Sequence, residues 1–319
     1  MNKPTLCVMV GLAGSGKSWL AECRATSAVG QGKIETIESS DAWREKLYGD
    51  INDQTHNAEV FQAMQMSTFD KLKRGEDVIY DATNIKIKDR RKILNLVKNI
   101  DCHKLCVIVA TPIEQCIIQD AERERSVGEH VIRRQLHNFQ TPFYEEGWDE
   151  IMLLKNKYLE KYEYLYQTMV GFNQQNKWHE FDLYTHCFNT TMNLMSKRDI
   201  REEGINRLLY GTALHDIGKI ETQTFTEDGQ AHYFNHSNVG SYHVLSKLDI
   251  REFEDGGEKQ KDWLLDVCFY INYHMLPFDW KTERVKNKYQ EIFGEQKFQD
   301  LMLINECDKC GQKEGENNE

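Results

Sequence analysis

The chain has 319 residues, with 40 Lys and Arg against 51 Asp and Glu and a formal charge of −11. So acidic a protein is excluded as a general nucleic-acid coat, which needs a basic field. Hydrophobic residues make up 40% and only 4 prolines are present, which suits packed cores, and a single core seldom grows beyond roughly 250–300 residues, so two domains are expected. No apolar run approaches the roughly 18–20 residues of a membrane helix, and Leu6 to Val10 is too short for a convincing signal peptide. The 9 cysteines are odd in number and scattered through apolar stretches, which suits reduced thiols. A cytoplasmic protein with no membrane association is expected.

In chain order, Thr5 to Val10 reads as a strand followed by a helix from Gly16. Asp77 to Tyr80 leads to a helix from Ile87, and Leu105 to Ala110 to a helix from Ile113. This alternation predicts right-handed crossovers and a parallel α/β sheet with helices on both faces. The first strand and helix bracket Gly11-Leu-Ala-Gly14-Ser15-Gly16-Lys17-Ser18, a Walker A pattern. Its glycines let backbone N–H groups converge on nucleotide phosphates at a helix N-terminus. Lys17 would reach the β- and γ-phosphates and Ser18 would hold Mg²⁺, so ATP and Mg²⁺ are the expected cofactors.

Three further segments narrow the chemistry. Ser39-Ser40-Asp41-Ala42-Trp43-Arg44 follows a strand expected at Ile34 to Ile37. Asp41 there could accept a proton from an attacking hydroxyl and Arg44 could grip an acceptor phosphate, although Ser40 or Asp41 would equally suit a helix cap. Val78-Ile79-Tyr80-Asp81-Ala82-Thr83-Asn84 is an apolar strand ending in an acid, followed by Arg90 and Arg91. Strand C-termini of such sheets face the ligand crevice, which would put Asp81 near Mg²⁺ or the acceptor. Arg123-Glu124-Arg125-Ser126-Val127-Gly128 reads as part of a charged helix. Its arginines could close over ATP and stabilise the transferred phosphoryl group, although such a run also suits a solvated helix face.

Together these residues resemble the P-loop polynucleotide kinase family, the 5′-hydroxyl kinases of nucleic-acid repair, over residues 1–155, including a closing segment from Thr141-Pro142 to Glu146-Gly147-Trp148. The resemblance implies that Lys17 and Ser18 bind ATP and Mg²⁺ and that Asp41 is the general base for a 5′-OH. It also implies that Arg44 contacts the acceptor phosphate, that Asp81, Thr83 and Asn84 line the acceptor side, and that Arg123 and Arg125 are lid residues. Arg90 and Arg91 join Arg44 as candidates to hold a strand end. Related kinases of small metabolites share most of these motifs.

The second half differs in texture. A last strand is expected near Glu150 to Leu154, then a helical linker over 156–176 ending at the polar Asn173-Gln174-Gln175-Asn176. Mostly helical spacing follows over 177–310, interrupted by a hairpin around Phe225 to Phe234 with Asp228-Gly229 as its turn, and then a flexible tail over 311–319. His186, His215-Asp216, His236, His274 and Asp308 appear in an order that lets separate helices converge on one or two divalent ions. A natural division gives His186, His215 and Asp308 to one ion and His236 and His274 to the other, with Asp216 bridging. Such ions polarise a phosphate and activate a shared water. Lys219 would lie on the helix side of His215 if that helix continues, and could neutralise substrate phosphate. His179 and His243 read as surface or supporting groups, and Cys307-Asp-Lys-Cys310 has no second pair to make a structural zinc site.

This order resembles the HD superfamily of metal-dependent phosphohydrolases, most specifically in His215-Asp216-Ile217-Gly218-Lys219. The resemblance implies Mn²⁺, Fe²⁺, Ni²⁺, Co²⁺ or Zn²⁺ at the site. The expectation is then a bifunctional end-healing enzyme: an ATP-dependent 5′-OH kinase with a 2′/3′ phosphatase or 2′,3′-cyclic phosphodiesterase, acting on nucleic-acid ends, RNA in preference to DNA, and possibly serving an RNA ligase. In known fusions of these families the HD module comes first; here the kinase does. The alternatives are a nucleoside or metabolite kinase joined to a nucleotide phosphohydrolase, and a regulatory module in which ATP binding gates an inactive HD domain.

Overall fold

The structure is a computed structural model that describes residues 3–30, 34–155, 160–249 and 258–311. Part of the expected linker, 156–159, and the tail, 312–319, lie outside the described residues. The chain divides into two units: residues 1–135 with 146–155, and residues 136–145 with 156–319.

The first unit alternates strand and helix: β1 (Thr5–Val10), α1 (Lys17–Gly30), β2 (Glu35–Ser39), α2 (Ser40–Tyr48), α3 (Asn57–Lys73), β3 (Asp77–Asp81), α4 (Ile87–Leu96), β4 (His103–Ala110), α5 (Ile113–Ala121), α6 (Glu129–Leu136) and β5 (Glu150–Lys155). The strands form one sheet in the order β2-β3-β1-β4-β5, and every pairing is parallel. Leu6 to Val10 is buried throughout because β1 is central and covered on both faces, which is why it reads as a continuous apolar run. Cys7, Met9, Ile79, Leu105 and Val107 form a core cluster with Ala21 of α1. The chain leaves β1 between β3 and β4, where the strand order reverses, and such a switch point opens a crevice at the strand C-termini.

The second unit is helical: α7 (Tyr162–Gln167), α8 (Leu183–Lys197), α9 (Ile205–Ala213), α10 (Lys219–Thr222), a small hairpin of β6 (Thr224–Phe225) and β7 (Ala231–His232), α11 (His236–Lys247), α12 (Glu258–Tyr273), α13 (Glu283–Phe293) and α14 (Glu295–Gly311). The expected Asp228-Gly229 turn closes the hairpin, with Gly229 at φ +79°. Among the described residues, no helix is long and apolar enough to cross a membrane.

The segment expected to close the kinase is split between the units. Glu146 to Lys155 belongs with the sheet, whereas residues 136–145 belong with the helices. The Phe143 ring packs on Phe269 and Phe293 at 5.0 and 5.4 Å, and Thr141 N donates to Asn272 Oδ1 at 2.8 Å. Buried apolar side chains follow the core that can enclose them, not the motif that precedes them in sequence.

Candidate active sites

The loop after β1 is built by close backbone approach. A Cβ on Gly14, at φ +77°, would lie 2.1 Å from the Cys116 carbonyl oxygen, and one on Gly11 2.7 Å from that of Val109. Gly11 N donates to Thr83 O at 3.1 Å, and Thr111 Oγ1 to Ser15 O at 2.9 Å, so β3 and the end of β4 clamp the loop. Lys17 Nζ donates to Leu12 O at 2.6 Å. Burial pushes the Lys17 ammonium down to about 8, against the nearby Asp81 carboxylate, which favours its charge. Ser18, exposed in the first turn of α1, bonds Asp81, whose own pKa is raised by burial despite that bond and Lys17. Ser18 and Asp81 thus offer adjacent oxygens suited to Mg²⁺.

Asp41 lies in the first turn of α2. The cap is Ser39, one residue before Ser40 and two before Asp41, the expected capping residues; its Oγ accepts from Asp41 N at 3.3 Å. This leaves the Asp41 carboxylate for two arginines: Arg44 Nη1 on Oδ1 at 2.7 Å and Arg125 Nη1 on Oδ2 at 2.8 Å. Arg44 is buried and also donates to Asn57 Oδ1 at 2.8 Å, while its Nε has no partner. Arg123 is exposed and near enough to Lys17 to oppose its charge.

Three expectations about this unit are corrected. Arg123 and Arg125 lie on a loop, not a helix, because α5 ends at Ala121. The buried Asp120 carboxylate accepts from Ser126 Oγ at 2.6 Å and from Val127 N and Gly128 N at 3.0 Å each, holding the loop in place of helical bonding. Arg90 is not a strand-end contact: its side chain is wholly buried in a two-bond pair with Glu146, at 2.8 and 2.6 Å. Asn84 does not present its amide to an acceptor; the amide donates to Met9 O at 2.8 Å and Ala82 O at 3.3 Å, tying the end of β3 to β1. Arg91 remains half-buried.

In the helical unit six side chains converge. His186 comes from α8, His215 and Asp216 from the turn after α9, His236 from the start of α11, His274 from the residue after α12 and Asp308 from α14. Asp216 lies between two sets. Its Oδ2 is 3.2 Å from His186 Nε2 and 3.3 Å from His215 Nε2, while its Oδ1 is 3.0 Å from His236 Nε2 and 3.4 Å from His274 Nε2. Asp308 Oδ1 is 3.1 Å from His186 Nε2. His186, His215 and Asp308 form one candidate ion-holding group and Asp216, His236 and His274 another.

The opposite ring nitrogens are engaged outward. Nδ1 of His215 faces Thr212 O at 2.7 Å, that of His236 faces Tyr233 O at 2.8 Å, and that of His274 faces Ile271 O at 2.8 Å. A carbonyl at Nδ1 fixes the tautomer that turns the Nε2 lone pair inward, as metal-ligating imidazoles do. The buried His186 Nε2, His215 Nε2 and Asp308 Oδ1 face one another and Asp216 at ion-pair distance without an aligned hydrogen bond, so the donor set fits divalent ions. Without such ions, burial disfavours charge on His186, but Asp216 and Asp308 outweigh it and lift its pKa to about 9; burial takes His274 down to about 4.

Glycines allow this approach. A Cβ on Gly218 would fall 2.0 Å from His236 O and 2.5 Å from Gly240 N, so the turn that carries Asp216 can touch α11 only without side chains there. The condition for Lys219 to share a helix side with His215 is not met, because the helix stops at Ala213. Lys219 still reaches the cluster through the turn: Nζ is 2.5 Å from Asp216 Oδ2, 2.8 Å from Gln174 Oε1 and 3.2 Å from His179 Nε2.

Gln174 and His179 were not among the expected site residues. His179 joins His186 and Asp216 in a further candidate group, and burial, with Lys219, pushes its pKa down to about 3. The segment expected as a linker therefore supplies part of the site. The only sequence signal was the nearness of His179 to His186. His243 lies apart, paired with Glu221 at 2.5 Å.

Comparison with known proteins agrees with this division. A family model described as an AAA domain matches residues 6–142, and one described as an HD domain matches residues 183–311. The chain joins a P-loop kinase-like domain to a helical HD domain. A curated relative, the L-seryl-tRNA(Sec) kinase of Methanococcus maripaludis, is 24% identical over 152 residues, 45% of this chain and 56% of the relative. The chain thus spans little more than half of that relative's length. Among solved structures, the Pnkp1/Rnl/Hen1 RNA repair complex aligns at 19% identity and TM-score 0.37 over 42% of this chain and 43% of the other. The Mycobacterium tuberculosis APS kinase CysC, in complex with AMPPNP and APS, aligns at 16% and 0.38 over 48% and 90%. The P-loop kinase-like domain implies ATP and Mg²⁺, and the HD domain implies a divalent metal.

Proposed function

We propose that the chain is a bifunctional nucleic-acid end-healing enzyme, with RNA preferred over DNA: a 5′-OH polynucleotide kinase and a 2′/3′ phosphatase or 2′,3′-cyclic phosphodiesterase in one cytoplasmic protein, with an RNA ligase as a natural downstream partner. The observation that carries this reading is the coexistence of two phosphate-handling centres: a P-loop with Asp41 gripped by Arg44 and Arg125, and an Asp216 carboxylate shared between two imidazole sets. Ribonuclease cleavage that leaves a 5′-OH and a 2′,3′-cyclic phosphate requires both chemistries before a ligase of the 5′-phosphate, 3′-OH type can act. The curated relative's name, which specifies a tRNA-borne acceptor, suits RNA.

In the kinase, the P-loop amides and Lys17 hold the β- and γ-phosphates, and Ser18 and Asp81 hold Mg²⁺, which neutralises phosphate charge. Asp41 accepts the proton of the attacking 5′-OH, Arg44 holds the acceptor phosphate, and Arg125, with Arg123, stabilises charge on the transferred group. In the HD domain, His186, His215 and Asp308 would hold one ion and His236 and His274 a second, with Asp216 available to both sets. Bound there, divalent ions would supply Lewis-acid polarisation of the phosphate and a more acidic water. Lys219 offers positive charge to the phosphate oxygens.

The test is ATP-dependent phosphorylation of a 5′-OH oligonucleotide, lost in Lys17→Ala and Asp41→Ala. Failure to phosphorylate any 5′-OH RNA or DNA rejects the assignment, and phosphorylation of free nucleosides as readily as oligonucleotides assigns a small-molecule acceptor instead.

A further inference from the structure

Two segments that supply residues to the HD centre also carry exposed aromatic side chains that phosphate chemistry does not use. Trp178 is 60% exposed and Phe234 70%, whereas Phe139, Phe143, Phe269 and Phe293 of the same unit are buried. Single exposed aromatics are ordinary, but hydrogen bonds tie the segments that carry these two to the centre. Trp178 N donates to Asn176 Oδ1 at 3.0 Å, and that oxygen is also 2.9 Å from His179 Nδ1. His179 in turn meets Lys219, which reaches Asp216. On the other side, Phe234 follows Tyr233, whose carbonyl receives His236 Nδ1 and whose hydroxyl donates to Gln174 O at 2.5 Å.

The hairpin that carries Phe234 is also joined directly to the Trp178 segment. Ala231 N donates to Gln175 O at 3.0 Å and Lys177 N to Gln230 Oε1 at 3.3 Å. Each aromatic has a basic neighbour: Lys177 Nζ is 4.8 Å from the Trp178 ring centre, and the His232 ring stacks on Phe234 at 5.5 Å and 9°. Exposed rings, one beside a lysine and the other stacked on an imidazole, within two residues of groups that face the phosphate centre, suit a ligand with a π-face joined to a phosphate by one sugar.

We propose that Trp178 and Phe234 form a nucleobase-stacking platform that binds the terminal base of a nucleoside 2′ or 3′ phosphate while its phosphate lies at the HD centre. This rests on the phosphohydrolase reading above and adds a binding subsite to it. Stacking on an aromatic side chain contributes about 1–3 kcal/mol per base and tolerates any base, so the platform favours nucleic-acid ends over base-free phosphates without imposing a sequence.

The experiment titrates the full-length protein with adenosine 3′-phosphate and, as a base-free probe, ribose 5-phosphate, reading tryptophan emission and equilibrium dialysis. Adenosine 3′-phosphate is expected to quench emission saturably, and Trp178→Ala to remove that component and weaken binding about 5- to 150-fold, the equivalent of the stacking energy. Trp178→Phe should recover most of the affinity and Phe234→Leu should weaken it, with ribose 5-phosphate bound alike by all four proteins. Equal losses for both probes, or no change for either in Trp178→Ala and Phe234→Leu, overturn the platform. Hydrolysis of adenosine 2′,3′-cyclic phosphate and of adenosine 2′- and 3′-phosphates by the wild type is measured alongside. Its absence defeats the phosphohydrolase reading, while Trp178-dependent quenching reports on the platform separately.

Discussion

Arg125 Nη1 lies 2.8 Å from Asp41 Oδ2, across 84 positions of sequence. The same guanidinium donates to Asn52 Oδ1 at 2.7 Å and Ile51 O at 2.8 Å, so the loop after α5 is latched to the segment after α2. Each oxygen of the Asp41 carboxylate thus meets a guanidinium, and Arg125 must exchange Asp41 for phosphate if it is to act on the transferred group. Arg125→Ala is therefore expected to lower kcat for 5′-OH phosphorylation by roughly 10²–10³, the cost of one transition-state donor. A rise in KM alone, with kcat intact, would confine Arg125 to substrate binding.

The Arg90 and Glu146 pair predicts stability effects. Both side chains are fully buried, so Arg90→Ala leaves an uncompensated buried carboxylate and should cost about 3–5 kcal/mol in denaturant unfolding. Replacing both partners, Arg90→Met with Glu146→Leu, should recover much of that loss. If Arg90→Ala unfolds like the wild type and loses only oligonucleotide affinity, Arg90 is a substrate contact after all.

Lys17 makes nucleotide binding pH-dependent. Its pKa is about 8 in the folded chain against an ordinary 10.5, so between those values the unfolded state holds the extra proton. The sign of the linkage then makes folding stability rise with pH across that window. Bound phosphates favour the ammonium, so ATP binding above pH 8 should take up a proton and weaken as pH rises. Titration calorimetry in buffers of different ionisation enthalpy measures that uptake, and Lys17→Met should abolish it.

Metal content offers an independent check on the helical unit. His215→Ala and Asp216→Ala should abolish phosphohydrolase activity and lower bound transition metal, with 5′ phosphorylation retained. His236→Ala or His274→Ala should remove one ion and spare the other. Elemental analysis of purified protein decides this, and unchanged metal in Asp216→Ala rejects the bridging role.

Gly218→Ala tests the approach of α11 to the Asp216 turn. The added methyl group meets backbone on α11, which cannot rotate aside. The expected result is a loss of about 1–3 kcal/mol together with the His236 ion. A fully metallated, equally stable Gly218→Ala protein would show that the turn has room to move.

Much of this was legible in sequence where local pattern and tertiary role coincide. The continuous apolar run of β1 reads as a central parallel strand because it is one, and His215-Asp216-Ile217-Gly218 combines ligands with the glycine that lets them approach α11. Arg90 shows the opposite case. An arginine after a strand end looks the same on paper whether it meets a phosphate or a glutamate 56 positions away. Gln174 was obscured because polar residues between helices resemble a linker, and His179, read as a surface or supporting group, is distinguished only by tertiary contact with Lys219. The loop carrying Arg123 and Arg125 kept a helix-like charge pattern while Asp120 supplied bonds that end the helix.

The assignment of residues 136–145 to the helical unit has a consequence for biosynthesis. The chain is made from its N-terminus, so Phe143 leaves the ribosome before β5 and long before Phe269, Tyr273 and Phe293, the rings that later enclose it. During that interval the nascent protein carries an apolar peg with no socket, the kind of transient surface that chaperones engage.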